Sequence, residues 1–454
     1  MNRKIMLTLI SIFIVAGLIL SACAPSAEPT QAPAEEAAPV EEAVPVEEAA
    51  PAGEEVTIRV WAHQNEGFNQ GLEDLAEAYM AENPNVTINF EVFDYDTYIQ
   101  TLQTALPAGT EADIMQMFGS WVCSYAEGDN LAEVPSGVLT MDEAEAQVFA
   151  AQLAGYNCDD KLYGVPQEFN IEYGAALVNT QIAADAGLAN ITDGWASWDD
   201  FIADVKQLAE VQDGVMLRAG YHFTASDAIP ATFYSLILQN GGQYLTDGGF
   251  SVDTPEGMKA LELMKKFVDE GLVDPVLFND EENWVGDSFF EETSATGLVG
   301  PWVIPEYAGD FEDVAAVTEY VTLPSLSADP VFVASSGWGL TVSSNSQAQD
   351  AAWDFVKFVA LNPDNAVQWN IASGTLPALK ANATGAAGEN LVAEFPYFGP
   401  FLKILEYGQN EGKFPDRDLV WYDITYPRII NFLQGNTTAE ETLETIEREV
   451  NETF

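Results

Sequence analysis

Basic residues are what this 454-residue chain most lacks: 16 lysines and arginines stand against 72 aspartates and glutamates, for a formal net charge of −56. From Val56 onward 63 acidic residues face 14 basic ones, a net of −49. Such a surface repels nucleic acid and other polyanions and works against strongly anionic ligands. No nucleic-acid partner is expected. Histidine is nearly absent too, with only His63 and His222. Neither lies in an HExxH pattern, a Cys/His cluster or a defensible Ser-His-Asp set. "GDSF" at 286–289 superficially resembles an esterase block but has no partner motifs. No glycine-rich phosphate loop occurs, and Asp94 and Asp96 lack the turn glycine of an EF-hand. The expectation is therefore no catalytic residue, no cofactor and no metal site. Past residue 20 no apolar run is long enough to cross a bilayer.

Cysteine is scarce, and each of the three has a distinct setting. Arg3 and Lys4, an apolar stretch from Ile5 to Leu20 and the small pair Ser21-Ala22 precede Cys23. This is the layout of a cleaved export signal, too short for a spanning helix. Leu20-Ser21-Ala22-Cys23 resembles a bacterial lipobox, so residues 1–22 read as a lipoprotein signal peptide and Cys23 as the lipidated residue. Residues 24–55 contain no lysine, arginine or aromatic residue, and the hexads EEAAPV, EEAVPV and EEAAPA follow one another. Proline and adjacent glutamates oppose a packed structure. Residues 23–55 thus read as an anchor followed by a disordered tether, with a reach on the order of 100 Å near polyproline geometry. Cys123 and Cys158 form an even pair, which in an exported protein suggests a disulfide; two separately buried thiols are the alternative.

The remaining 399 residues suffice for two domains. "VTIRVW" alternates as a strand does, Leu72, Leu75, Ala76, Tyr79 and Met80 recur at helical spacing, and Pro84 stops the helix. "VTINFEVF" reads as a strand, "DTYIQTLQTALPAG" as a helix and "ADIMQMF" as a buried strand, an alternation that argues for parallel βαβ units. Ser197 with Asp200, and Thr254-Pro255, read as starts of later helices.

Several ordered segments carry a resemblance over nearly all of 56–454. They include "LAEAYMAENPNVTINFEVFDYDTYIQTLQTALPAGTEADIMQMF", "LYGVPQEFNIEYGAALVNTQIAADAGL", "WASWDDF", "GLVGPW", "SGWGLTVSSNSQAQDAAWDFVKFV" and "SGTLPA". The chain resembles the bacterial extracellular solute-binding proteins of family 1, which deliver sugars to ABC importers. Val178, where tyrosine is common, and Ser197, in place of threonine, are departures. The resemblance implies an α/β, two-lobed periplasmic-binding-protein-like fold of type II with three interlobe crossings. Lobe 1 is placed at 56–168 plus 332–374 and lobe 2 at 173–328 plus 379–454. The crossings fall near Glu168–Glu172, Pro324–Val331 and Ser373–Ala378. It further implies a monomer that captures a mono- or oligosaccharide by hinge closure and docks on permease subunits, held by its lipid anchor at the outer face of the cytoplasmic membrane or in the periplasm. Among so many acids a paired-carboxylate glycoside hydrolase remains an alternative, and a tether would equally serve a carbohydrate-binding adhesin.

A sugar site needs aromatic faces for the ring and carboxylates or amides for the hydroxyls, presented at the carboxyl ends of strands. After the first strand come His63, Gln64, Asn65 and Glu66; after the third, Ser120 and Trp121. Glu168, Asn170, Glu172 and Tyr173 face the ligand or the hinge, Glu172 having a hinge-only role as its alternative. The resemblance places Trp302 on the second lobe as a stacking platform and Gly337 and Trp338 after the second crossing. Of Trp421 and Tyr422 it points one, preferably Tyr422, at the cleft; Tyr221 is a further candidate. Trp61 reads as core.

Overall fold

A computed structural model describes residues 55–246, 248–278 and 284–454. The signal peptide, Cys23 and the tether up to residue 54 lie outside them. Among the described residues no helix is long and apolar enough to cross a membrane.

The N-terminal βαβ alternation is set by local signals. Strand β1 (Val56–His63) leads to helix α1 (Glu66–Glu82), whose first turn is capped where Asn65 Oδ1 accepts from the Phe68 amide at 3.1 Å. Strand β2 (Val86–Phe93) and helix α2 (Tyr95–Ala108) follow, with Asp94 as N-cap and Gly109, at φ 65°, closing the last turn. Strand β3 (Ile114–Phe118) runs directly into helix α3 (Gly119–Glu127). β1 pairs in parallel with β2 and β3, and strand Trp338–Val342 returns antiparallel to β3 and to Val165–Pro166. A chain that returns after more than two hundred residues to complete the sheet makes this lobe discontinuous.

Two separate hydrophobic cores form. The smaller gathers residues such as Val60, Leu72, Tyr98, Leu102, Ile114, Leu340 and Val356. The larger gathers residues such as Leu177, Phe201, Phe223, Phe233, Leu261, Val321, Trp421 and Leu443, around strand Ala175–Asn179 and its antiparallel neighbours Thr296–Gly297 and Thr318–Thr322. Ser197 and Thr254 cap helices Trp198–Leu208 and Pro255–Asp269 at the positions their sequence implied.

The segments joining the cores are themselves structured. Glu168–Phe169 pairs antiparallel with Leu376–Pro377, so two crossings form one ribbon. Gln239 spans the other: its Nε2 donates to Val331 O at 3.0 Å and its Oε1 accepts from Leu326 N at 3.1 Å. Strand Phe332–Ala334, which sequence assigned to the first lobe, pairs with Gly408–Asn410 and is buried in the larger core. Its apolar side chains find their partners there, and the chain reaches the smaller core only at Trp338.

Cys123 and Cys158 are bonded, with Cα atoms 5.4 Å apart, which disposes of the free-thiol alternative. The bridge fastens α3 to the hairpin Asn157–Cys158/Lys161–Leu162.

Candidate functional site

Between the two cores lies a cavity of about 610 Å³, lined by residues of both and by the first crossing. On the smaller-core side, His63 ends β1 and stacks on Trp338 at a centroid distance of 4.0 Å and an interplanar angle of 12°. Its Nδ1 lies 2.9 Å from Gln116 Oε1, and burial lowers its pKa to about 4, so the imidazole is neutral. Tyr95, Phe118 and Trp121 meet the Trp338 ring edge-on. On the opposite wall, Trp284 and Trp302 stack at 5.3 Å. Trp302 packs against both cores.

The first crossing supplies two carboxylates. Glu168 Oε1 accepts from the Trp338 amide at 2.8 Å, and burial raises its pKa to about 7 despite that bond and the one from Asn170 Nδ2. Glu172 accepts from Gly300 N at 3.1 Å and from Trp302 Nε1 at 3.3 Å. Burial, then the charge of Asp227, pushes its pKa up as well. Glu172 is therefore more than a hinge residue: it lines the cavity and fixes the indole of the opposite wall.

Arg417 organises the far end. Its Nε donates to Glu411 Oε2 at 3.0 Å, Nη1 to Tyr422 OH at 2.7 Å and Asp418 Oδ1 at 3.2 Å, and Nη2 to Ser335 Oγ at 3.4 Å. The guanidinium lies 4.0 Å from the centroid of the Trp421 ring. Tyr422 OH in turn donates to Asp227 Oδ1 at 2.5 Å. Trp121 Nε1 donates to Asp418 Oδ2 at 3.0 Å, joining α3 to the loop that follows Asn410.

Of the residues singled out from sequence, His63, Asn65, Glu168, Asn170, Glu172, Trp302, Trp338 and Tyr422 line this cavity. Trp121 stands behind Trp338 rather than on the wall. Gln64 and Glu66 are exposed, because strand alternation and the start of α1 turn them outward. Ser120 lies in the first turn of α3 with its Oγ buried, outside the lining. Tyr173 and Tyr221 are core residues, the latter stacked on Phe223 at 5.2 Å. Trp421 is fully buried beneath Arg417. Gly337 contributes backbone: at φ 66°, a Cβ there would sit 2.8 Å from Gln152 Oε1 and 3.0 Å from Glu168 Cγ. A side chain would push Glu168 from the Trp338 amide. Trp61 is 95% buried, as expected of a core residue.

Tyr95, Phe118, Asp227, Trp284, Arg417 and Asp418 also line the cavity without having been anticipated. Arg417 carried the clearest signal, a lone arginine in the acidic, aromatic run "FPDRDLVWY". Among the described residues no cluster of histidine, cysteine and carboxylate side chains has the makings of a metal site.

The fold recurs in solved structures. A cyclic α-maltosyl-1,6-maltose binding protein from Arthrobacter globiformis superposes with a TM-score of 0.72 at 23% identity, covering 87% of this chain and 98% of that one. An ABC transporter solute-binding protein from Thermotoga lettingae, bound with α-D-tagatose, gives 0.73 at 20% identity, covering 87% and 99%. In sequence, a lactose-binding protein of Rhizobium radiobacter is 26% identical over 348 residues, 73% of this chain and 77% of its own length. The family model of the bacterial extracellular solute-binding proteins matches residues 64–366. This chain belongs to that family.

Proposed function

We propose that the protein captures a carbohydrate between its two lobes and delivers it to the permease of an ABC importer, performing no chemistry on it. The observation that carries this reading is the pair of aromatic stacks on opposite walls of one cavity, His63–Trp338 and Trp284–Trp302, with carboxylates and an amide between them. Indole faces cover the C–H faces of a sugar ring, while Glu168, Glu172, Asp227 and Asn170 accept from or donate to its hydroxyls. The sugars that its structural relatives bind, and the lactose-binding protein among its sequence relatives, support the same class. In this reading the lobes, at about 56–168 with 338–374 and 173–334 with 379–454, close as a monomer by rotation at the crossings. Lipidation at Cys23 would hold the protein at the outer membrane face, and the 24–55 tether would give it reach.

A thermal-shift screen over sugars, oligosaccharides, polyols, amino acids and glycerol phosphates tests it. A ligand at about 1,000 times its Kd stabilises by roughly 4 kcal/mol. A sugar that stabilises the protein and is recovered intact supports the reading. A sugar recovered cleaved would replace it with hydrolysis, and the absence of any sugar effect would remove its basis.

A further inference from the structure

The cavity holds more carboxyl groups than hydroxyl recognition requires. Glu168, Glu172, Asp227 and Asp418 all line it, and among the described residues the one cation in the lining is Arg417. That guanidinium is already committed: it donates to Glu411, which is fully buried behind it, and to Asp418, Tyr422 and Ser335. Glu411 and Asp418 share its charge as ion-pair partners, so among the described residues Glu168, Glu172 and Asp227 form no ion pair with it. The protein partners of Glu168 are the Trp338 amide and the Asn170 side chain; those of Glu172 are the Gly300 amide and the Trp302 indole. His63 adds no positive charge, since burial keeps it neutral. Burying carboxylates without a cation is costly, and they escape that cost by binding a proton or a positive ligand.

We propose that the saccharide taken here carries an ammonium group, an amino sugar rather than a neutral one, with the ammonium seated between Glu172, Asp227 and the Trp302 face. The inference rests on the carbohydrate reading and narrows it. Glu172 holds Trp302 by its indole N–H, which puts a carboxylate at the edge of an aromatic platform. That combination attracts an ammonium twice, by ion pairing and by the ring quadrupole. The field of the whole protein acts in the same direction, because a net charge of −49 beyond residue 55 raises the local concentration of cations.

The test is calorimetric titration of the full chain with matched pairs: glucosamine and glucose, galactosamine and galactose, and the β-1,4 glucosamine disaccharide with cellobiose and its N-acetylated form. The expected result is that at least one amino sugar binds about tenfold or more tighter than its hydroxyl partner, a factor that N-acetylation abolishes. In Glu172→Gln and separately Asp227→Asn, both measured so that one misfolded variant does not decide the matter, that ratio should fall toward one. Neutral sugars binding as well as or better than their amino partners would overturn the inference and leave the carbohydrate reading intact. If no saccharide of either kind binds, both fall together.

Discussion

Replacing Arg417 by methionine should destabilise the larger lobe by about 3–5 kcal/mol, the cost of leaving one member of a buried ion pair without its partner. The magnitude follows from Glu411. It is fully buried, and one oxygen keeps the Ser336 N–H and O–H at 3.0 Å, but the other loses its Arg417 partner. The stacking of the guanidinium on Trp421 at 4.0 Å is also lost, although methionine recovers much of that contact through its flexible thioether. Desolvated negative charge, not lost packing, therefore dominates. The double variant Arg417→Met, Glu411→Gln distinguishes the two terms: glutamine keeps an acceptor for Ser336 and removes the charge. It should regain at least half of the loss. Urea unfolding of the full chain, followed by tryptophan fluorescence and far-ultraviolet circular dichroism, gives the three free energies, with coincidence of the two probes checked first. A single variant weakened by less than about 1 kcal/mol, or a double variant no more stable than the single, would refute the charge argument.

Stability should also depend on pH through Glu168. Its folded pKa of about 7 exceeds the unfolded value of roughly 4.3, so its contribution is fully present below the unfolded value and is lost as pH rises through 7. Comparing wild type with Glu168→Gln between pH 5 and 8 should show a difference slope of up to about 1.4 kcal/mol per pH unit, steeper in the wild type; parallel curves would contradict it. Trp302→Ala should weaken the ligand identified by the screen by about 1–3 kcal/mol, read by calorimetry, and an unchanged Kd would show that this face does not stack. Reducing the Cys123–Cys158 bridge, which has a sequence separation of 35, should cost about 4 kcal/mol on the chain-entropy account, measured as a drop in the urea midpoint under dithiothreitol. An unaltered midpoint would count against it. Trp121→Phe keeps a ring against Trp338 and removes the donor to Asp418, so it should leave unfolding within about 0.5 kcal/mol of wild type. Its effect should appear as weaker ligand binding, and wild-type binding would show that this contact between the two sides of the cavity does not support capture.

The βαβ alternation was legible because periodicity and caps act locally, whereas the two-lobed arrangement was implied by the family resemblance. Asn65, Asp94, Ser197 and Thr254 each start a helix with their own side chains, and β1 and β3 show the apolar character of strands in a covered parallel sheet. The site was legible where a residue sits at the carboxyl end of a strand, as His63 does, and where the family resemblance marked a position, as at Trp338. It was less so for aromatics that a sequence marks equally for core or cleft. Tyr221 and Trp421 went to the core because Phe223 and Arg417 cover them, contacts made by neighbouring positions but oriented only by tertiary packing. Trp284 and Asp227 reach the cavity from segments far from any strand end, and their partners Trp302 and Tyr422 lie 18 and 195 positions away. No local pattern encodes such meetings.

The antiparallel pairing of Glu168–Phe169 with Leu376–Pro377 has a kinematic consequence. Two strands tied by hydrogen bonds bend together, so the proposed rotation of the lobes would have its axis close to this ribbon. In the proposed closure Glu168 and Glu172, which hold the Trp338 amide and the Trp302 indole, would lie near that axis, where displacement is smallest, and the parts of both walls farther from the ribbon would sweep. Under such rotation the carboxylates are a stationary floor, holding nearly the same geometry with the cleft agape or shut. A ligand would meet that floor first and acquire its aromatic covers afterward, so substitutions in the floor should act on association and those in the covers on residence time.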